Sequence, residues 1–163
     1  MALDNLSWDE YFYNIAKTVA EKSKDKPQVG AVIVRDDGKI IVSTGYNGFP
    51  RGILELPART TNDRSENDHS EKLSWTCHAE TNAIFNAARA GISIDKSTIY
   101  VTKTPCISCA IAIVQAGIHR IYTEDSKHWG HDPLDTEGER TSIILREAGI
   151  KVHFPSFPQH KAA

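Results

Sequence analysis

The chain has 163 residues, of which 40% are hydrophobic and 25% are charged. This is the composition of one ordinary globular domain, and it excludes a disordered chain, a collagen-like chain and a disulfide-rich miniprotein. The 19 basic and 21 acidic residues leave a formal net charge of −2, so the charge calls for no polynucleotide and no membrane partner. No apolar run approaches the roughly 20 residues that span a bilayer, and the first residues lack a signal-peptide pattern. We expect a single domain over residues 1–163 in the cytoplasm.

The first part of the chain predicts one helix and a hairpin. A helix is predicted over residues 7–23, where Ser7 and Glu10 fit a capping box ahead of an apolar stripe at helical spacing. Strands are predicted over 28–35 and 39–46, because both are rich in branched residues and a turn sequence separates them.

After the hairpin, residues 47–76 show weak periodicity and are predicted as a long connection, a kind of loop that is usually functional or disordered. Helices and strands then alternate: a helix over 78–90, a strand over 97–102, a helix over 106–116, a strand over 118–123, a helix over 138–148 and a strand over 150–154. Such alternation predicts an α/β fold. We expect a three-layer α/β/α sandwich with a five-stranded mixed sheet, in which the last two strands are parallel neighbours.

One histidine and two of the three cysteines are spaced as metal ligands. Cys106 and Cys109 lie three residues apart at a predicted helix start, so both thiols face one way in the first turn. A helix N-terminus favours the thiolate, and two thiolates with the imidazole of His78 are three good zinc ligands. Three ligands leave one coordination position open, as in catalytic zinc sites. Glu80 could then take the proton from a water that the zinc activates.

The spacing His-x-Glu, followed by Pro-Cys-x-x-Cys, is a known signature of zinc-dependent deaminases, in which the glutamate is the acid and base. Two alternatives remain open. A thioredoxin-like redox motif would explain the cysteine pair but has no use for the upstream His-x-Glu. A closed structural zinc site would need a fourth ligand, which His69 or Cys77 could supply.

Beyond the zinc motif, four runs of sequence resemble the deoxycytidylate (dCMP) deaminases: 28–31 (QVGA), 45–52 (GYNGFPRG), 78–84 (HAETNAI) and 115–118 (QAGI). The resemblance extends over about residues 7–150. The connection from Asn47 to His78, 78 − 47 = 31 positions, is longer than its counterpart in tRNA adenosine deaminases, which favours a dCMP-type enzyme.

The resemblance implies a cytidine deaminase-like fold, a Zn²⁺ cofactor, and hydrolytic deamination of dCMP to dUMP with release of ammonia. It also implies a small-molecule nucleotide substrate and a homo-oligomer. A deaminase of another small substrate, such as deoxycytidine, cytosine or a modified nucleotide, is the first alternative. A non-catalytic zinc-binding interaction module is the second, although the intact Glu80 counts against it.

The resemblance further implies how the base and sugar are bound. Asn47 would hydrogen-bond the sugar hydroxyl, and the Ala79 N–H would lie near O2 of the pyrimidine. The carbonyl of Thr104 or Pro105 would sense the exocyclic amine. For Asn47, an Asx turn before Gly48 is the alternative interpretation.

Further candidates concern the walls of the site and the phosphate. Trp75 would pack against the base or line the mouth, and Val29 is counted among the substrate-binding residues. A nucleotide phosphate is bound by basic side chains, hydroxyls or backbone N–H groups. The family-like candidates for it are Ser23 and Lys24, and the long connection adds a basic set: Arg51, Arg59, Arg64 and Lys72.

Overall fold

The structure, a computed structural model, describes residues 6–37, 39–60, 71–124 and 136–155. The helices and strands of these residues are, in chain order, α1 Trp8–Ala20, β1 Gly30–Arg35, β2 Ile40–Tyr46, α2 Glu71–Trp75, α3 Ala79–Ala90, β3 Ser97–Val101, α4 Ile107–Gln115, β4 Arg120–Thr123, α5 Thr136–Glu147 and β5 Lys151–His153. A short 3-10 helix, Pro57–Arg59, precedes α2. None of the described helices has the length and apolar character needed to cross a membrane.

The five strands form one mixed sheet in the order β2-β1-β3-β4-β5. Strand β1 is antiparallel to both β2 and β3, whereas β3, β4 and β5 are parallel. The predicted five-stranded mixed sheet and its parallel last pair are therefore confirmed. The register pairs Ala31 with Val101, so β1 starts where β3 ends. The carboxyl ends of parallel strands are where α/β folds bind ligands, and here the start of β1 lies at that same edge.

Side chains that alternate along the strands supply two apolar cores, one on each face of the sheet. On one face, Phe12 and Ala16 of α1 pack against Val32 and Tyr100. On the other face, α3, α4 and α5 cover the sheet with a second set: Ala83, Ala87, Ile113 and Leu145 against Ile33, Ile99 and Ile121. Helices on both faces confirm the predicted three-layer α/β/α sandwich.

The predicted elements are all present, with ends that differ by a few residues. The capping box is confirmed, because the Glu10 N–H donates to Ser7 Oγ (3.2 Å) and the Ser7 N–H donates to the Glu10 carboxylate (2.9 Å). Helix α1 ends at Ala20 rather than at residue 23. Strand β1 begins at Gly30 rather than at residue 28: Val29 lines the cavity described below, and the Gln28 side chain donates to the Ser23 carbonyl (2.6 Å).

Helix α2 lies inside the stretch that the sequence predicts as an irregular connection. It has only five residues, too few for a helical period to stand out. Its contacts hold it in place: Arg59 stacks over the Trp75 ring at 4.1 Å, and Lys72 forms an ion pair with Asp25 at 2.8 Å. Tertiary contacts of this kind have no local sequence signal.

Two glycines let helices lie directly on the sheet. A Cβ at Gly30 would lie 2.1 Å from the Ala16 carbonyl oxygen of α1. At Gly45 it would lie 2.3 Å from the backbone nitrogen of Ala83 and 2.4 Å from the carbonyl oxygen of Ala79, both in α3. Since these neighbours are backbone atoms, no side-chain rotation can make room. Gly45 therefore sets how closely the first turns of α3 approach β2.

We expect Gly45→Ala to destabilise the protein, because an added methyl group must push α3 away from the sheet. Overpacking of this kind costs roughly 1–3 kcal/mol. Urea unfolding followed by circular dichroism measures the change. Gly48→Ala is the matched control, because its Cβ would meet only the Tyr46 ring, at 3.9 Å. Equal stability of the two variants would contradict the proposed close approach.

Candidate active site

Three ligand atoms meet where two helices begin. His78 is the N-cap of α3 and Cys106 the N-cap of α4, with Cys109 in the first turn of α4. The Nδ1 atom of His78 lies 3.4 Å from the Sγ atom of each cysteine. Tetrahedral zinc with its usual bond lengths would separate a nitrogen from a sulfur ligand by about 3.6 Å. The donor set and its spacing therefore fit Zn²⁺.

The other proposed ligands lie apart from this group. Within the described ranges, one group of His, Cys, Asp or Glu side chains is close enough to share a metal ion, and it consists of His78, Cys106 and Cys109. The thiol of Cys77 instead lies 3.2 Å from the Thr81 hydroxyl. His69 lies outside the described residues. The described geometry thus offers three protein ligands and supports an open coordination position.

Hydrogen bonding between the two cysteines shifts their pKa values in opposite directions. A hydrogen bond from Cys109 lowers the pKa of Cys106 to about 4, against the effect of burial. The same hydrogen bond, together with burial, raises the pKa of Cys109. The hydrogen bond with Cys106 also raises the pKa of His78, although burial opposes the shift. The lowered pKa of Cys106 favours the thiolate, which is the form that binds a metal ion.

Glu80 lies beside these ligands in the first turn of α3, and its side chain is almost completely buried. Burial raises the pKa of this carboxyl to about 7. A carboxyl group with a pKa near neutrality can both accept and donate a proton at physiological pH. Its position and its pKa suit it to general acid–base chemistry.

His78, Cys106 and Glu80 line a cavity of about 340 Å³, and Cys109 is buried behind them. This volume lies within the range of pockets that hold small-molecule ligands. Four predicted substrate-binding residues line the cavity with them: Val29, Asn47, Ala79 and Thr104. Four of the eight substrate-binding residues predicted from the sequence thus line the same cavity as His78 and Cys106.

The Asn47 amide joins the end of β2 to the segment before β1 through two hydrogen bonds. Its Oδ1 accepts a hydrogen bond from the Val29 N–H (2.8 Å), and its Nδ2 donates to the Pro27 carbonyl (2.9 Å). These bonds reach across to the segment before β1. The described bonds of the side chain are therefore not those of an Asx turn at Gly48. The second N–H of the amide remains for a ligand.

The other four candidates are not among the lining residues. Ser23 is buried, and its hydroxyl donates to the Asn47 carbonyl at 2.7 Å. Lys24 is largely exposed and pairs with Glu55 at 3.3 Å. Trp75 donates its indole N–H to Glu71 at 2.7 Å. Pro105 is buried directly before Cys106.

The basic set of the long connection is dispersed. Arg51 donates to the Asn86 side chain at 2.7 Å, Arg59 stacks on Trp75, and Arg64 lies outside the described residues. Of this set only Lys72 lines the cavity, where its ion pair with Asp25 is largely shielded from solvent.

Three charged residues of the cavity wall could not be identified from the sequence motifs: Asp25, Lys26 and Lys103. Of these three residues, only Lys103 could have been predicted to line the site, from its position relative to the cysteine motif. It lies three residues before Cys106 and just beyond β3, so a side chain there borders the carboxyl edge of the sheet. The other two follow α1 in a connection without any motif.

Comparison with known proteins gives a consistent result. Residues 6–124 match the family model described as "Cytidine and deoxycytidylate deaminase zinc-binding region". Mouse deoxycytidylate deaminase is 40% identical over 150 residues, which cover 90% of this chain and 79% of the mouse protein. The enzyme of Saccharomyces cerevisiae is 34% identical, with 94% of this chain and 46% of the yeast protein covered.

Solved structures agree with this similarity. The apo dCMP deaminase of cyanophage S-TIM5 superposes with a TM-score of 0.67 at 27% identity, covering 90% of this chain and 96% of the phage chain. The same enzyme has been solved in complex with dCMP and dUMP. A tRNA:A34 deaminase, at 21% identity and a TM-score of 0.52, shares the fold. The sequence match over most of the chain, the five-stranded sheet and the His-Cys-Cys cluster agree, and the chain belongs to the zinc-dependent cytidine and deoxycytidylate deaminase family.

Proposed function

We propose that the protein catalyses the hydrolytic deamination of dCMP to dUMP and ammonia. One observation carries the proposal: a cluster of three ligand atoms that fit zinc lies beside a buried carboxyl with a pKa of about 7, and His78, Cys106 and that carboxyl line one cavity of nucleotide size. The choice of dCMP is supported by the mouse and yeast relatives, which are deoxycytidylate deaminases. The phage enzyme, solved with dCMP and dUMP, supports the same substrate.

His78, Cys106 and Cys109 are the proposed ligands of Zn²⁺. Bound there, a zinc ion would supply a water of lowered pKa. Glu80 takes one proton from this water and passes it to N3 of the pyrimidine, while the water oxygen bonds to C4. It then takes the second proton from that oxygen and gives it to the amino group, which leaves as ammonia when the C4–N bond breaks. The buried position of Glu80 keeps bulk water from exchanging with the proton it carries.

The cavity wall gives the base and sugar their proposed partners. The N–H of Ala79 is at the first position of α3, where it has no acceptor within the helix, and can donate to O2 of the pyrimidine. The carbonyl of Thr104 or Pro105 accepts from the exocyclic amine. Asn47 binds the sugar hydroxyl and Val29 forms the adjoining wall. Outside the cavity, the Ser23 hydroxyl supports Asn47 by donating to its carbonyl (2.7 Å).

The proposal includes a homo-oligomer in the cytoplasm, with residues 1–163 as one deaminase domain. Phe85 on α3 is 58% exposed and Ile111 on α4 is 47% exposed. Both helices cover the same face of the sheet and contact each other. Large exposed apolar side chains on adjoining helices are typical of a surface that contacts another protein. A reducing compartment would keep Cys106 and Cys109 able to ligate zinc.

Light scattering coupled to gel filtration tests the oligomer. We expect a mass that is a multiple of the single chain, and Phe85→Glu should shift it toward the monomer because a charge cannot be buried in an apolar contact. A wild-type protein that elutes with the mass of one chain would contradict the oligomer.

We expect Cys106→Ala to lose zinc, because two remaining ligands hold the ion too weakly. Elemental analysis after dialysis should find about one zinc per chain in the wild type and far less in the variant. Cys77→Ala is the matched control: its thiol is adjacent in sequence to His78 but bonds to Thr81, so this variant should keep its zinc. A Cys106→Ala protein with a full complement of zinc would refute the ligand assignment.

We expect the zinc-replete protein to release ammonia from dCMP faster than from CMP, deoxycytidine, cytidine, cytosine or dCTP. An ammonia assay over this panel tests the substrate, and a preference for a nucleoside or free base would favour another small-molecule deaminase. Absence of turnover on the whole panel would favour the non-catalytic zinc-binding module.

Glu80→Gln separates the chemistry from metal binding. Loss of a general acid–base typically lowers turnover by about 10²–10⁴-fold, and the variant should keep its zinc because Glu80 is not among the grouped ligands. Glu21→Gln, at the exposed end of α1, is the control and should retain full activity. Undiminished turnover by zinc-loaded Glu80→Gln would exclude the proposed role.

A further inference from the structure

The charges around the catalytic cavity do not cancel at its mouth. Lys26, Lys72 and Lys103 all line it. Lys72 is neutralised by Asp25, which lies 2.8 Å away, and the two side chains are only 13% and 10% exposed. The ion pairs found among the described residues include neither Lys26 nor Lys103. Among the residues that the structure describes, the two ammonium groups of Lys26 and Lys103 therefore have no ion-pair partner.

The floor of the cavity does not supply that compensation. Two thiolates cancel the charge of a Zn²⁺ ion held by Cys106 and Cys109, and the third ligand, an imidazole, is neutral when it binds a metal. Of the carboxyls that line the cavity, Asp25 is paired with Lys72 and Glu80 is buried beside the ligands, so the exposed positive charge of the lining lies with Lys26 and Lys103. A phosphate monoester carries a charge of about −1.5 to −2 at pH 7, which two ammonium groups match.

Backbone contacts hold the two lysines on one rim. Lys103 directly follows Thr102, whose N–H donates to the Gly30 carbonyl (3.0 Å) and whose hydroxyl accepts from the Gly30 N–H (3.1 Å). Lys26 directly precedes Pro27, whose carbonyl accepts from Asn47. The connection after α1 and the connection after β3 are thus joined where β1 begins. One lysine lies beside Asn47, the proposed sugar contact, and the other precedes Thr104, a proposed base contact.

We propose that Lys26 and Lys103 form the subsite that binds the 5′-phosphate of the substrate. This inference rests on the proposed function, because it assigns the residues that distinguish a nucleotide from a nucleoside in the same cavity. The base would lie at the ligands and Glu80, the sugar at Asn47, and the phosphate at the rim between the two lysines.

The earlier phosphate candidates are less suited to this contact. Lys24 pairs with Glu55 and lines a second cavity of about 350 Å³ rather than the catalytic one. The Ser23 hydroxyl already donates to the Asn47 carbonyl and accepts from the Asp25 N–H (3.0 Å). Lys72 could reach a phosphate only by leaving Asp25 without its partner, which is costly for a buried carboxylate.

Calorimetric titration of the zinc-loaded protein with dUMP and with deoxyuridine tests the subsite. Lys103→Gln and Lys26→Gln should each weaken dUMP binding by roughly 10–100-fold, the usual effect of losing a charge-assisted hydrogen bond. Deoxyuridine binding should stay the same, because it has no phosphate. Lys103→Arg keeps the charge and should remain within a few-fold of the wild type. Lys151→Gln, an exposed lysine at the start of β5, is the matched control and should change neither affinity.

Two results would overturn the inference. One is unchanged dUMP affinity in both glutamine variants, most clearly if Lys24→Gln weakens it instead. The other is an equal loss for dUMP and deoxyuridine, which would mean that the lysines support the cavity rather than the phosphate. Wild-type protein that releases no ammonia from dCMP would refute the proposed function separately, while the ratio of the dUMP and deoxyuridine affinities would still decide the subsite.

Discussion

The meeting of two helix starts at the end of β3 is the constraint on which the site depends. His78 and Cys106 occupy N-cap positions, so the relative position of α3 and α4 fixes the distance between their side chains. Small residues set that position: Gly45 faces Ala79 and Ala83, and the buried side of α3 is made almost entirely of alanines. A bulkier residue on either surface would move a ligand away from the other two.

Burial of the catalytic carboxyl and assembly of the ligands follow from the same packing. The first turn of α3 carries His78 at its cap and Glu80 two residues later, pressed against the sheet. Exclusion of water raises the pKa of Glu80, and it also makes an uncompensated thiolate pair unfavourable. Thiols release protons when they bind a metal ion. Metal binding and proton release are coupled in this fold because one buried space contains both.

Much of the fold and the chemical centre of the site can be predicted from the sequence, because both depend on local spacing. The His-x-Glu and Cys-x-x-Cys motifs mark the starts of α3 and α4, and the alternation of helices with strands gives the sheet. Helix α2 escapes prediction because five residues show no period and its stability comes from distant partners. The Asp25–Lys72 pair escapes for the same reason, since its two residues are far apart in the chain.

Sequence similarity predicts some of the residues that line the cavity but not others. Asn47, Val29, Ala79 and Thr104 line the cavity, and each is next to an element whose direction the pattern fixes. Ser23 and Lys24 lie in the connection after α1, which has no regular period from which the direction of a side chain could be predicted. There the described geometry brings Lys26 to the cavity and directs Lys24 toward Glu55.

The two asparagines of α3 have a consequence for how molecules of this protein meet. Strand β2 is at the border of the sheet, and its Thr44 and Tyr46 carbonyls accept hydrogen bonds from Asn86 and Asn82, each at 2.7 Å. An unpaired border strand invites a strand of another molecule, which is a common route to aggregation. An incoming strand would first have to break both amide contacts and displace the helix that carries His78 and Glu80. The same helix therefore serves catalysis and keeps the sheet from growing at this side.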